Sequence, residues 1–337
     1  YGLIMTTYKD IRGTHITTVT TDPPAPVNGQ MWYNSTTQVV KGFTSNPAGS
    51  WATGGALNTA RNNLGGAGTQ TAGLAFGGQP PNRALTEQYN GSSWTEVADL
   101  NEARNGSGSI GIQTAALAFG GEGTSPNPRN IVESWNGSSW TELSGDLNST
   151  SKYRASAGAV YTAGLAISGV GPDNSSVFAN VESWNGSAWT EISDVNTGRQ
   201  LPGGSGTTTN ALFFGGAPGS SPSVPNRDKT ESWNGSSWTE VNDLNTARAG
   251  TGSPAGSPYS DTLYAGGEKD GYHNATELWN GTSWSEQNNL NLARGNLRGT
   301  GDTSSNLVFG GYASSSPQSA TEEWTAPTTS TVTFTAS

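Results

Sequence analysis

Cysteine is absent from this 337-residue chain. That removes disulfides, thiolate metal sites and cysteine nucleophiles together. It does not choose a compartment, because a chain folded in a reducing cytoplasm and exposed later needs no disulfide. Histidine is scarce, with only His15 and His273, so multi-histidine metal centres are excluded as well. No stretch approaches the roughly 18 apolar residues of a membrane span. The start, Tyr1-Gly-Leu-Ile-Met5, has neither a basic region nor a long apolar core, so no secretory signal is expected there, and Met5-Thr-Thr-Tyr8 has the look of a natural start. Charged residues are only 12% of the chain, with 16 Lys and Arg against 26 Asp and Glu and a net charge of −10. Such a surface repels phosphate backbones and anionic lipid, which argues against nucleic-acid partners and membrane insertion. Long helical patterns are missing too.

What is present is a repeat. Glu231-Ser-Trp-Asn-Gly-Ser-Ser-Trp-Thr-Glu240 recurs almost unchanged at 87–96, 133–142, 182–191 and 277–286. Apolar and polar residues alternate on both sides of Asn-Gly, the preferred pair for a type I′ turn, so each copy is expected to be a β-hairpin with aromatic residues on both arms. Of the 12 tryptophans, all but Trp32 fall in register with this repeat. Trp51, Trp94, Trp140, Trp189, Trp238 and Trp284 stand 43–49 residues apart, a period that with about four strands per unit means propeller blades.

Other signatures share the period. A Leu-Asn-x-x-Arg segment follows each hairpin, as in Leu57 to Arg61 and Leu244 to Arg248, with a version from Leu147 to Arg154 that reads as stretched. Small-residue strands such as Leu64-Gly-Gly-Ala-Gly68 suit a crowded axis. Apolar strands then end in Gly-Gly, as in Leu74-Ala-Phe-Gly-Gly78, degenerating once to Ala166-Ile-Ser-Gly169. The last unit stops at Thr321-Glu-Glu-Trp324 without an outer strand. Two segments are able to supply it, Ser50-Trp51-Ala52 from the other end of the ring or the tail Thr331-Val-Thr-Phe-Thr335. The first is the N-to-C closure that removes exposed sheet edges.

With these motifs in view, the chain resembles the kelch-repeat β-propellers over roughly residues 46–324. The resemblance rests on the Gly-Gly strand, the later aromatic strand, the tryptophan beyond it and the arginine in the next connection. It implies an all-β fold: a six-bladed propeller at 46–327, preceded by a small β module at 1–45 and followed by a tail at 328–337. Six near-equivalent arginines point to a structural role, holding one blade's loop to the next. The hairpin differs from the Asp-box of sialidase-type propellers, which carries Asp two residues before Gly. A copper site of the galactose-oxidase kind is excluded by the missing Cys and His. No cofactor and no metal are expected; Glu268-Lys-Asp270-Gly271 is the nearest acidic cluster. The Asn-x-Ser/Thr sequons of the hairpins follow from turn chemistry alone.

Function is sought where the repeats differ, in the connection after each Gly-Gly, which is expected to emerge beside the arginine-bearing loops. The expected binding residues there are Arg83, Arg129, Asp173, Arg227, Asp228, Lys229, Lys269, Asp270, Tyr272, His273 and Tyr312. The N-terminal Asn28-Gly-Gln-Met-Trp-Tyr-Asn-Ser-Thr-Thr37 resembles hairpins of bacteriophage virion proteins that precede fibre, decoration or adhesin domains. Ala67 to Gly78 likewise resembles kelch-like proteins of marine phages. The resemblance implies a non-enzymatic virion protein, tail fibre, adhesin or capsid decoration, made in the host cytoplasm and displayed on the particle surface. Trp32, Tyr33 and Asn34 would dock onto other virion proteins, the propeller would bind a host glycan or protein, and the molecule would form a homo-oligomer, by analogy a trimer. The alternatives are a polysaccharide-acting propeller enzyme, which needs paired carboxylates that break the repeat, and an intracellular kelch adaptor.

Overall fold

The hairpin repeat folds as alternating strands in the computed structural model, which describes residues 16–27, 29–46, 48–123, 129–173, 175–219, 227–250 and 258–334. Glu231 pairs with Glu240 and Trp233 with Trp238, so the hairpin stacks one tryptophan on another across the strands; in the hairpin at 87–96 the pair is Tyr89 on Trp94. The turn is not of type I′. The backbone N–H of Asn90 donates to the Ser93 carbonyl at 3.2 Å, leaving Gly91 and Ser92 as the central residues. Only the glycine has positive φ, +90°, which is the II′ pattern. Asparagine stands one residue earlier because its Oδ1 accepts the N–H groups of Ser92 and Ser93, at 3.0 and 2.9 Å.

Each hairpin supplies the two outer strands of an antiparallel sheet. In the first, Gly65–Gly68, Gly73–Phe76, Thr86–Tyr89 and Trp94–Val97 lie in sequence order. Sheets of the same order occupy 108–143, 155–192 and 203–241, and a fifth holds three described strands over 262–287. The sixth takes three strands from 298–325 and its outermost from Ser50–Thr53, with Trp324 opposite Trp51. No helix occurs among the described residues. The fold is an all-β propeller closed by strands from both ends of its chain.

The tail does not close the ring. Thr328–Phe334 pairs antiparallel with Val39–Asn46, in a separate sheet ordered Thr17–Val19, Met31–Asn34, Val39–Asn46, Thr328–Phe334. The chain thus divides into Ser50–Ala326 and a smaller unit of Tyr1–Gly49 with Pro327–Ser337. The three-part division expected from sequence therefore becomes two parts. A tail strand rich in Thr needs a partner edge, and Val39–Asn46 offers one.

Between sheets, the Leu-Asn-x-x-Arg loops act as clamps. Asn58 donates its backbone and side-chain N–H groups to Glu87 Oε2, at 2.8 and 2.9 Å. Arg61 reaches the other carboxylate oxygen at 2.8 Å, and both side chains are buried. The backbone N–H groups of the same loop hold the preceding sheet: Leu57 donates to Ser319 and Arg61 to Gln318. Five further ion pairs repeat the arrangement: Arg104 with Glu133, Arg154 with Glu182, Arg199 with Glu231, Arg248 with Glu277, and Arg294 with Glu322. The third loop is not stretched. Ser151 stands where the other loops have arginine, and Arg154, from three residues later, reaches Glu182 at 3.6 Å with help from Ser151 and Ser149.

The Gly-Gly pairs make room for these loops. A Cβ on Gly77 would lie 2.6 Å from the Arg104 carbonyl oxygen, and one on Gly78 would lie 2.9 Å from that of Asn62. Where the pair degenerates, Ser168 takes the positive φ (+60°) and its hydroxyl accepts the Arg199 N–H at 2.7 Å.

Outer tryptophans lock each sheet to the one before. Trp140 packs on Phe76 with ring centres 4.8 Å apart, and its Nε1 donates to Thr86 Oγ1 at 3.0 Å. Trp94, Trp284 and Trp51 make the same bond to Thr321, Thr230 and Thr276. The corresponding position for Trp189 is Val132, and the buried Nε1 of Trp189 has no partner. Val132→Thr is therefore expected to stabilise the propeller by about 1 kcal/mol in urea unfolding. Glu277→Gln, which strips the counter-charge from buried Arg248, is expected to cost about 3–5 kcal/mol in the same assay.

Candidate functional site

Six backbone hydrogen bonds form a closed circle at one end of the central channel. The N–H of Gly106 donates to Asn63, Tyr153 to Gly106, Leu201 to Tyr153, Gly250 to Leu201, Asn296 to Gly250 and Asn63 to Asn296. All six residues have positive φ, between +52° and +68°. This conformation turns each N–H along the circle, and the two glycines admit neighbouring side chains, since a Cβ at Gly106 would strike the Tyr153 ring. Around the circle, one bridge per sheet ties the arginine loop to the connection after Gly-Gly: Asn62 with Gln79, Asn105 with Glu122, Lys152 with Val170, Gln200 with Ala217, Ala249 with Glu268, and Gly295 with Tyr312. Both loop sets therefore emerge at the same end, as expected.

Those bridge residues decide the relief of the face. Lys152 fills its sector by donating to Glu122 at 2.6 Å, with the Tyr153 hydroxyl 3.4 Å from the same carboxylate oxygen. Burial pushes the Tyr153 hydroxyl up, and the adjacent Glu122 charge adds to that. On the opposite sector Ala217, Ala249 and Gly271 are small, and a hollow of about 550 Å³ opens. Arg227, Glu268, Lys269, Asp270 and Tyr272 line it together with Gln200. Burial raises the Glu268 carboxyl, against which the Arg227 charge acts in the opposite sense.

The segment 268–273 forms the wall. Glu268 bridges back to Tyr272, Lys269 N–H donates to the Gly271 carbonyl, and His273 Nε2 lies 2.8 Å from the Lys269 carbonyl. Asp270 takes positive φ at the tip. Beyond the wall lies a second hollow of about 540 Å³, bordered by Asp228, Asn245 and His273. Tyr272 is 37% exposed, enough to offer a ring face, and sits 6.0 Å from the Tyr312 ring. Seven of the eleven expected binding residues thus gather: Arg227, Asp228, Lys269, Asp270, Tyr272, His273 and Tyr312.

The other four stand apart from these hollows. Arg83 donates to the Pro80 carbonyl within its own loop. Arg129 pairs with Glu102 at 3.1 Å. Lys229 is held by Asp243 and Glu240 on the outer strands, which raises its ammonium pKa. Asp173 spends its carboxylate on Ser176 and Ser175, and those bonds hold it well below the usual carboxylate range. From sequence, Glu268 is singled out only within the nearest acidic cluster, and Glu122, Lys152 and Gln200 are not singled out. Their signal is present, because each breaks the repeat at the position just after an arginine loop or a Gly-Gly.

In the smaller unit Asp22 gathers the expected docking residues inward. Its Oδ1 accepts Trp32 Nε1 at 2.9 Å and Asn34 Nδ2 at 2.8 Å, while Lys41 lies 2.6 Å from Oδ2. Trp32 and Asn34 are buried, and only Tyr33 keeps partial exposure. Asn28 lies outside the described residues.

No family model matches the chain, and no curated protein matches it. Among solved structures it is similar to that of YjhT, with a TM-score of 0.68 and 14% identity over 82% of this chain and 99% of that one. The likeness is one of fold.

Bonds from Lys41, Asn34 and Trp32 lower Asp22 from 3.8 to about 2. Its contribution is complete above the unfolded value and lost as pH falls through the folded one. Trp32 fluorescence in the isolated smaller unit, or difference spectra of Trp32→Phe against the full chain, is expected to change between pH 3.8 and about 2. Asp22→Asn is expected to abolish that transition.

Proposed function

We propose that this chain is a bacteriophage virion protein: a six-bladed, kelch-type propeller whose loop-bearing face binds a host surface glycan or protein. The observation that carries the reading is the contrast between core and face. Each repeated arginine and the first glutamate of each repeat are consumed in a clamp between sheets. The residues that break the repeat gather at one end, around the hollow of Arg227, Glu268, Lys269 and Tyr272. A constant scaffold with variable polar and aromatic loops at one end is the layout of a recognition surface. Exposed tyrosine beside charged groups suits stacking on a sugar ring with hydrogen bonds to its hydroxyls.

Both ends of the propeller's chain pass into the smaller unit, which we assign to attachment on the particle through other virion proteins. The resemblance of its Trp-Tyr-Asn hairpin to virion segments supports this assignment. Abundant Ser, Thr and Asn with few charges suit a durable extracellular surface. We assign no catalytic step: the buried repeated acids serve the clamps, the outer ones recur alike on every hairpin, and the hollow holds Glu268 beside an arginine.

Cryo-electron microscopy of whole particles from the source tests the reading. The propeller is expected at fixed symmetry on capsid or tail; its absence from every particle, with the protein free in lysate, would sink the virion assignment. Excess purified protein is expected to compete with particle adsorption to host cells, and Tyr272→Ala with Lys269→Ala to compete at least tenfold less well. Equal competition by that variant would remove the hollow from the binding surface.

A further inference from the structure

Arg298 is a half-buried cation that the clamp system does not account for. It opens the innermost strand of the sixth sheet, Arg298–Gly301, opposite Phe309. The same register position, opposite the same apolar residue, is Gly65, Gly108, Ala155 and Gly203 in other sheets. An arginine here projects into the channel, where small residues were expected. Its Cγ occupies the space a Cβ on Gly66 would need, 2.8 Å away. Past the first sheet, its Nη2 donates to Ser109 Oγ of the second at 2.6 Å.

Among the described residues no carboxylate meets it. Each of the six clamp arginines faces a glutamate, whereas the hydroxyl and carbonyl of Ser109 are the partners of Arg298 among the described residues. Desolvation alone acts on its guanidinium and lowers it to about 10. A largely desolvated charge without a counter-charge is costly unless something else compensates it.

A cavity of about 50 Å³ lies beside Arg298, inside the circle of backbone hydrogen bonds. Ser107, Asn296 and Arg154 also line it. Three of its lining residues carry a buried polar atom with no hydrogen-bond partner among the described residues: Arg298 Nε, Ser107 Oγ and Asn296 Oδ1. The Asn296 amide can present nitrogen in place of oxygen by a flip. One guanidinium, one hydroxyl and one amide thus border a space large enough for one or two water-sized species.

We propose that this cavity is a site for a small inorganic anion of chloride size, held by Arg298, Ser107 and Asn296. The anion supplies the missing counter-charge and ties the sixth sheet to the second across the axis. It is a structural ligand of the propeller, independent of any partner on the loop face.

The test uses the full chain, with halide as the probe. Replacing gluconate by chloride at constant ionic strength is expected to raise Tm by about 2–4 °C. Arg298→Met, which keeps the length without the charge, is expected to be insensitive to the exchange. Crystals soaked in bromide are expected to show an anomalous peak beside Arg298, and that measurement stands even if the variant does not fold. A Tm indifferent to chloride together with water alone in the cavity would overturn the proposal. Bromide found only at the outer surface would overturn it equally.

Discussion

Each junction between neighbouring sheets depends on one buried carboxylate. Glu87 and its five counterparts sit on the third strand of a sheet, where burial makes an unpaired negative charge prohibitive. Asparagine and arginine from the incoming loop satisfy both oxygens, and that loop's backbone holds the preceding sheet. A single connection therefore fastens two sheets while solving the electrostatic problem of the second. The rest follows geometrically: Gly-Gly keeps the strand end clear of the loop, and tryptophan covers the outer half of the junction. This accounts for a ring that closes without disulfides.

The third junction shows what the constraint specifies. Arginine is missing from its usual place, yet Arg154 brings a guanidinium to Glu182 from a different backbone position. What is required is positive charge at the carboxylate, and serine hydroxyls make up the difference in reach. The tryptophan bonds behave similarly: threonine serves where it is present, Trp238 turns to the Ser193 carbonyl, and Trp189 is left without a partner. Charge complementarity is enforced at all six junctions, neutral hydrogen bonding less strictly. The order matches their costs in a low-dielectric interior.

Repetition also explains why the candidate binding face has relief on one side. Six bridges surround the hydrogen-bonded circle, and the size of the residue at each decides whether the sector is filled or open. Lys152 and Glu122 fill one sector; Ala217 and Ala249 open the other. Chemistry then collects where space exists, with Glu268, Arg227 and Tyr272 lining the hollow. Our functional proposal rests on that asymmetry, and the channel proposal on another break in the repeat, Arg298.

The strand repeat, the propeller and the clamp role of the arginines were legible in the sequence, because period, alternation and equivalence are properties of order along the chain. The tendency of variable loops to share an end was legible for the same reason. Other features required the third dimension. Whether Trp51 or the tail closed the ring depended on which edge each strand met, and alternation is the same in both. Trp32 and Asn34 read as exposed docking groups until Asp22, ten and twelve residues away, turned them inward. The turn type depended on which residue the asparagine side chain capped. Nothing in the sequence marks Arg298; only register places it at the axis, opposite Phe309, where its charge meets Ser109 and no carboxylate among the described residues.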